Sequence, residues 1–155
     1  MDLRDLITLE AVIPSLKAKT KKQALQELAQ KAAALTGLDG RQIFDTLLQR
    51  ERLGSTGVGR GIAIPHGRLS GLKNIVSVFA RLDEPIDFEA LDEEPVDLIF
   101  LLLAPEHAGG DHLKALARIS RLLREGQAVE KLRASKDAAA LYAVLTEAAT
   151  SSHAA

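Results

Sequence analysis

Apolar residues recur with two different periods along this chain, and the alternation between them outlines its elements. Thr20-Lys-Lys-Gln23 reads as a capping box, and Leu25, Leu28, Ala29, Ala32 and Leu35 follow at helical spacing before Gly37 supplies a stop. Asp39 to Gln42 opens a second helix with Ile43, Phe44, Leu47 and Leu48 on its apolar stripe, a pattern that ends at Leu53-Gly54. Strands are predicted at Val12–Leu16, where Pro14 argues for an edge or an irregular segment, at Ile62–Ile64, closed by Pro65, and at Ile75–Leu82. Val96–Leu103 is a continuous apolar run and reads as a central strand covered on both faces. Residues 83 to 95 between the last two strands form an acidic loop.

Three more helical segments close the chain. Asp111 is the expected cap of a helix with Leu113, Leu116, Ala117, Ser120 and Leu123 on its inner face, ended by Gly126. A short helical piece spans Val129 to Leu132, and a last helix, capped by Ser135, carries Leu141, Val144 and Leu145. Interleaved helices and strands predict an α/β fold, a single-domain mixed sheet flanked by helices over residues 1–148, with 149–155 a disordered tail.

Composition narrows the function classes. The 155 residues suit one core, and the absence of cysteine excludes disulfides, thiolate metal sites and cysteine redox chemistry. The acidic start is not a signal peptide, and Leu98–Ala104 is too short to span a bilayer, so a soluble cytoplasmic protein without membrane insertion is expected. Residues 1–82 hold 13 Lys and Arg against 7 Asp and Glu, a net +6, whereas 83–155 hold 7 against 14, a net −7. With five aromatics in all, neither part has the basic, aromatic surface of a nucleic-acid binder.

Candidate chemistry concentrates in Gly54 to Arg68, a glycine-rich loop that ends at His66. Its amides suit an anion. No Gly-Lys-Ser or Gly-Lys-Thr closes the loop, and it runs into a strand, so it is neither a nucleotide P-loop nor a dinucleotide fingerprint. An imidazole with its ordinary pKa of about 6.5 offers an unprotonated nitrogen that can attack phosphorus. Arg50, Arg52, Arg60 and Arg68 supply cations nearby. His107 and His112 raise a metal site with His66 as an alternative, but their spacing matches no helical metal motif, and the acids of 83–97 lack the central glycine of a calcium loop. No metal and no cofactor are expected.

The block from Arg50 to Arg68, with Gly-Ile-Ala-Ile-Pro-His-Gly at its centre, resembles the active-site region of the mannitol/fructose/nitrogen class of enzyme IIA domains of the bacterial phosphotransferase system, most closely the nitrogen-regulatory branch. Glu84-Pro-Ile-Asp-Phe88, Pro95-Val-Asp-Leu98 and His112-Leu-Lys-Ala-Leu116 extend the resemblance over residues 3 to 146. The resemblance implies the sandwich fold of that class and a stoichiometric phosphoryl carrier. His66 would be phosphorylated at Nε2 by an HPr-like phosphocarrier (NPr or HPr), with Arg50 and His112 as its active-site partners. Ser55, Thr56, Gly57, Gly59 and Gly67 are expected to support the phosphoryl group. Regulatory targets such as potassium-transport regulators or sensor kinases are implied as partners. The alternatives are a IIA subunit serving a sugar-specific IIB, and a protein-binding regulator independent of phosphorylation.

Overall fold

The computed structural model describes the backbone of residues 2–154 and the side chains of residues 2–147, so the expected tail at 149–155 falls outside the described side chains. Two short 3₁₀ turns, Leu3–Asp5 and Leu9–Ala11, lead into β1 (Val12–Leu16). Helix α1 (Lys21–Thr36) starts where Thr20 accepts from the Gln23 amide at 3.1 Å, while the Gln23 side chain reaches back to the Lys19 amide. It ends at Gly37, whose φ of 78° is left-handed, a conformation that glycine adopts without cost from a Cβ. Asp39 caps α2 (Gly40–Arg52) through the Arg41 amide.

Three short strands follow, β2 (Gly57–Gly59), β3 (Ile62–Ala63) and β4 (His66–Leu69), and then two long ones, β5 (Val76–Ile86) and β6 (Val96–Pro105). β5 runs four residues further than the alternating pattern predicted, into what reads as acidic loop, and Ile86 pairs with Val96 to close the β5–β6 hairpin. The sheet order is β1-β5-β6-β3-β2, with β4 also on β6, so the sheet is mixed. β1 is the parallel edge strand that Pro14 suggested. β6 is central: Leu98 through Ala104 have no solvent exposure. Each such leucine, isoleucine or phenylalanine contributes roughly 1.5–3 kcal/mol by leaving water, which makes this strand the spine on which the rest is registered.

α1 packs on α2 and on β5, and α2 on β4; α3 (Gly110–Leu122), α4 (Gly126–Ala134) and α5 (Ala138–Ala154) form a second group, in which α3 lies against β6 and α5 against β1. Two sequence expectations change here. α3 begins at Gly110 after Gly109, without a side-chain cap from Asp111, and its buried stripe is His112, Ala115, Ile119 and Leu122, one residue out of phase with the predicted one. The cap of α5 is Asp137, whose carboxylate accepts the Ala140 amide at 3.0 Å, and Ser135 instead bonds the Asp137 amide. Among the described residues no helix is long and apolar enough to cross a membrane.

Candidate active site at a break between two strands

β3 and β4 lie on one line beside β6. Ile62 pairs with Leu98 and His66 with Leu102, the same offset, so the register survives the interruption at Ile64 and Pro65. His66 therefore opens a strand, where the sequence suggested the end of one. Its Nδ1 lies 2.9 Å from the Ile64 carbonyl oxygen. A carbonyl only accepts, so Nδ1 carries the ring proton and Nε2 keeps its lone pair.

His66 opens into a cleft of ≈ 630 Å³ that is also lined by Arg50, Arg68, Gly67 and His112, with Thr46, Gln49, Leu53, Leu113 and Leu116 completing it. No acid is among these residues. Arg50 sits in the last turn of α2, and its guanidinium donates to the Gly54 carbonyl at 2.9 Å, which folds the side chain over the chain reversal after the helix. Arg68, in β4, reaches the Glu106 carbonyl at 3.4 Å. α2 approaches β4 closely because residue 67 has no side chain: a Cβ there would stand 2.9 Å from Thr46 Cγ2.

His112 comes from the first turn of α3, in the other half of the chain. Its ring meets that of His66 edge to face, centroids 5.7 Å apart and planes at 83°. It is buried, at 6% exposure, as the first residue of the buried stripe that continues through Ala115, Ile119 and Leu122. Burial, followed by the charges of His66 and Arg68, holds its pKa below the ordinary imidazole value, so it is neutral at pH 7. Its Nδ1 is buried with no hydrogen-bond partner.

The expected phosphoryl-loop residues separate. Gly67 lines the cleft beside His66, whereas Ser55, Thr56, Gly57 and Gly59 do not. The Ser55 hydroxyl donates to the Phe88 carbonyl at 2.8 Å and accepts the Gly57 amide at 3.0 Å. Thr56 gives its amide, at 3.0 Å, and its hydroxyl to the Glu51 carboxylate. Gly57 and Gly59 form β2 of a hairpin turned by Arg60 and Gly61, both at positive φ, so the glycine-rich segment is a hairpin against the sheet rather than a cradle of free amides. Gly57 is required by close approach: a Cβ would come within 2.7 Å of Ala90 Cβ.

Sequence reasoning missed Glu51. Its side chain is 3% exposed and pairs with Lys21 at 2.9 Å, tying α1, α2 and the Ser55–Gly57 segment together one residue away from Arg50. It also missed the apolar rim, Leu53 at 86% and Leu113 at 67% exposure. His107 lines a different cleft with Asp5, Lys73 and Asp111, and among the described residues no three His, Cys, Asp or Glu side chains converge to hold a metal ion.

Comparison with known proteins agrees with this architecture. Residues 5–148 match the family model described as "Phosphoenolpyruvate-dependent sugar phosphotransferase system, EIIA 2". A nitrogen regulatory protein from Bradyrhizobium diazoefficiens is 63% identical over 94% of this chain and 95% of its own length. The crystal structure of nitrogen regulatory protein IIA-Ntr from Neisseria meningitidis superimposes with a TM-score of 0.88 at 35% identity, covering 93% of this chain and 99% of that one. The IIA mannitol crystal structure from Escherichia coli shares the fold, with a TM-score of 0.74 at 22% identity over 89% and 97% of the two chains. The chain belongs to the EIIA 2 family of the phosphoenolpyruvate-dependent phosphotransferase system, in its nitrogen regulatory, IIA-Ntr branch.

Proposed function

We propose that this protein is a phosphohistidine carrier that accepts a phosphoryl group on His66 Nε2 from an HPr-like phosphocarrier and regulates target proteins through its phosphorylation state. The observation that carries the reading is the hydrogen bond from Nδ1 to the Ile64 carbonyl, which leaves Nε2 as the nucleophile in a cleft lined by cations. In the transfer, the Nε2 lone pair forms a bond to phosphorus as the donor's phosphorus–nitrogen bond breaks, and the bonding pair leaves with the donor imidazole. His66 loses no proton. Its ring becomes cationic with Nδ1–H in place, and the hydrogen bond to Ile64 becomes charge-assisted.

One phosphorus–nitrogen bond replaces another, so the protein's task is alignment and charge stabilisation. Arg50 and Arg68 offset the charge on the phosphoryl oxygens, and a neutral His112 presents a ring edge to the same space. Leu53, Leu113 and Leu116 form an apolar rim against which the donor docks. Targets such as potassium-transport regulators or sensor kinases follow from the nitrogen-regulatory resemblance. Incubation with phosphoenolpyruvate, enzyme I and an HPr-like protein is expected to give one acid-labile, base-stable phosphate per chain. A His66→Ala variant that still takes up that phosphate overturns the assignment.

A further inference from the structure

Residues 83–97 carry eight acids and no Lys or Arg, and none of them lines the His66 cleft. Some are engaged locally. Asp83 binds Ser15 and Arg81, Asp97 binds Arg133, and Asp92 accepts the Arg60 and Glu94 amides. Glu93 and Glu94 are exposed and make no ion pair among the described residues. Two apolar side chains stand in solvent nearby, Val58 on the edge strand β2 at 57% exposure and Leu91, two residues before Glu93, at 83%. They belong to adjoining segments, since the Leu91 amide faces the Gly57 carbonyl at 3.5 Å. In the same segments Phe88 and Ala90 are buried, and a Cβ on Gly57 would come within 2.7 Å of Ala90 Cβ.

Folding gains nothing by leaving a leucine and a valine in water beside uncompensated carboxylates, and a partner that supplies apolar surface and positive charge satisfies both. We propose that Val58 and Leu91, rimmed by Glu93 and Glu94, form a docking surface for a protein segment carrying Lys or Arg around an apolar anchor, and that its owner is a partner other than the phosphoryl donor. The sign of charge separates the two surfaces, because the cleft around His66 has cations and no acids where this one has acids. The binding half of the inference stands on this patch alone; the assignment to a second partner rests on the carrier reading above.

The probe is a fluorescein-labelled amphipathic Leu/Lys peptide of about 18 residues, five helical turns, with a Leu/Glu counterpart as control. Anisotropy is expected to show saturable binding of the Leu/Lys peptide that weakens with salt and falls about tenfold or more in Leu91→Ser and in the Glu93→Lys/Glu94→Lys double variant. Amide shifts in labelled protein should centre on Val58 and Leu91, while phosphoryl transfer to His66 stays at the parent rate in both variants. Equal binding of the Leu/Glu peptide, binding indifferent to the variants, or shifts centred on the cleft overturn the proposal. Loss of phosphoryl transfer along with peptide binding also overturns it, since the patch would then be part of the donor's docking face. Should the parent take up no phosphate at all, the carrier reading fails, and the peptide result still decides this one.

Discussion

Replacing Glu51 by glutamine tests whether a buried ion pair, remote from the chemistry, holds the site together. The carboxylate accepts Lys21 Nζ at 2.9 Å, the Thr56 amide at 3.0 Å and the Thr56 hydroxyl, with 3% of its side chain exposed against 15% for Lys21. Removing one member of a buried pair costs about 3–5 kcal/mol, mainly because the other charge is left buried. Lys21 keeps some solvent, a second carboxylate at 3.8 Å from Glu89 and the Phe88 ring at 4.8 Å, and the glutamine oxygen still serves one Thr56 donor. The lower end applies, about 3 kcal/mol. In a protein of this size that is a fall in Tm of about 6–12 °C. Urea unfolding and calorimetry measure it, and a double-mutant cycle with Thr56→Val should show a coupling of about 1–2 kcal/mol, because both residues share one network. Phosphoryl transfer should slow as well, since Arg50 and its anchor at Gly54 flank the loosened segment. A loss under about 0.5 kcal/mol, or additivity of the two substitutions, refutes the reasoning.

His112, whose folded pKa is depressed mainly by burial, binds its proton in the unfolded chain first as pH falls, so stability should decline from about pH 6.5 down towards the folded value. Urea melts at pH 7.5 and 5.5 are expected to show a smaller acid loss in His112→Gln than in the parent, and equal losses contradict the account. Phosphorylating His66 brings negative charge beside a ring 5.7 Å away, so proton NMR should show the His112 titration moving up; no movement would separate the two rings functionally. Gly67→Ala drives a Cβ to 2.9 Å from Thr46 Cγ2 and should cost about 1–3 kcal/mol, most of it recovered by adding Thr46→Ser, which removes that methyl. A double variant as unstable as Gly67→Ala alone would place the strain elsewhere.

Features governed by neighbours in sequence were legible, and those governed by distant partners were not. Thr20, Gly37 and Asp39 announce both ends of α1 and the start of α2 because capping is local. The α3 stripe was misread by one position because hydropathy ranks Leu113 above His112, whereas the site buries the histidine against His66 and leaves the leucine 67% exposed on the cleft rim. For the same reason His112 contributes to packing as well as to the cleft. Glu51 reads as a solvent-facing helical charge. Only the return of the Ser55–Gly57 segment, with Lys21 arriving from α1, makes it interior. The glycine-rich segment was recognised as special but assigned to free amides. Its amides are committed to a hairpin and to the Ser55 and Glu51 side chains, which only the three-dimensional pairing reveals.

The tautomer of the His66 ring follows from the break between β3 and β4. Alternate residues of a strand face the same neighbour, so Gly61 and Pro65 give their carbonyls to the Leu98 and Leu102 amides of β6 and the Ile64 carbonyl points to the opposite side. Here Pro65 offers no amide and its own carbonyl takes the Leu102 amide at 2.9 Å, while the Ile64 amide turns to the Thr56 carbonyl at 3.0 Å. The Ile64 carbonyl is thereby available to His66 Nδ1 two residues on, within a register that holds both flanking pieces to the most buried strand of the sheet. A hydroxyl or an amide side chain at this point, able to donate as well as accept, would leave the tautomer open; a backbone carbonyl only accepts and so fixes it. The rigidity of the sheet is thus transmitted to one ring nitrogen through a single proline, and Arg50 and His112 are brought to it by the two helices packed on the same pair of strands.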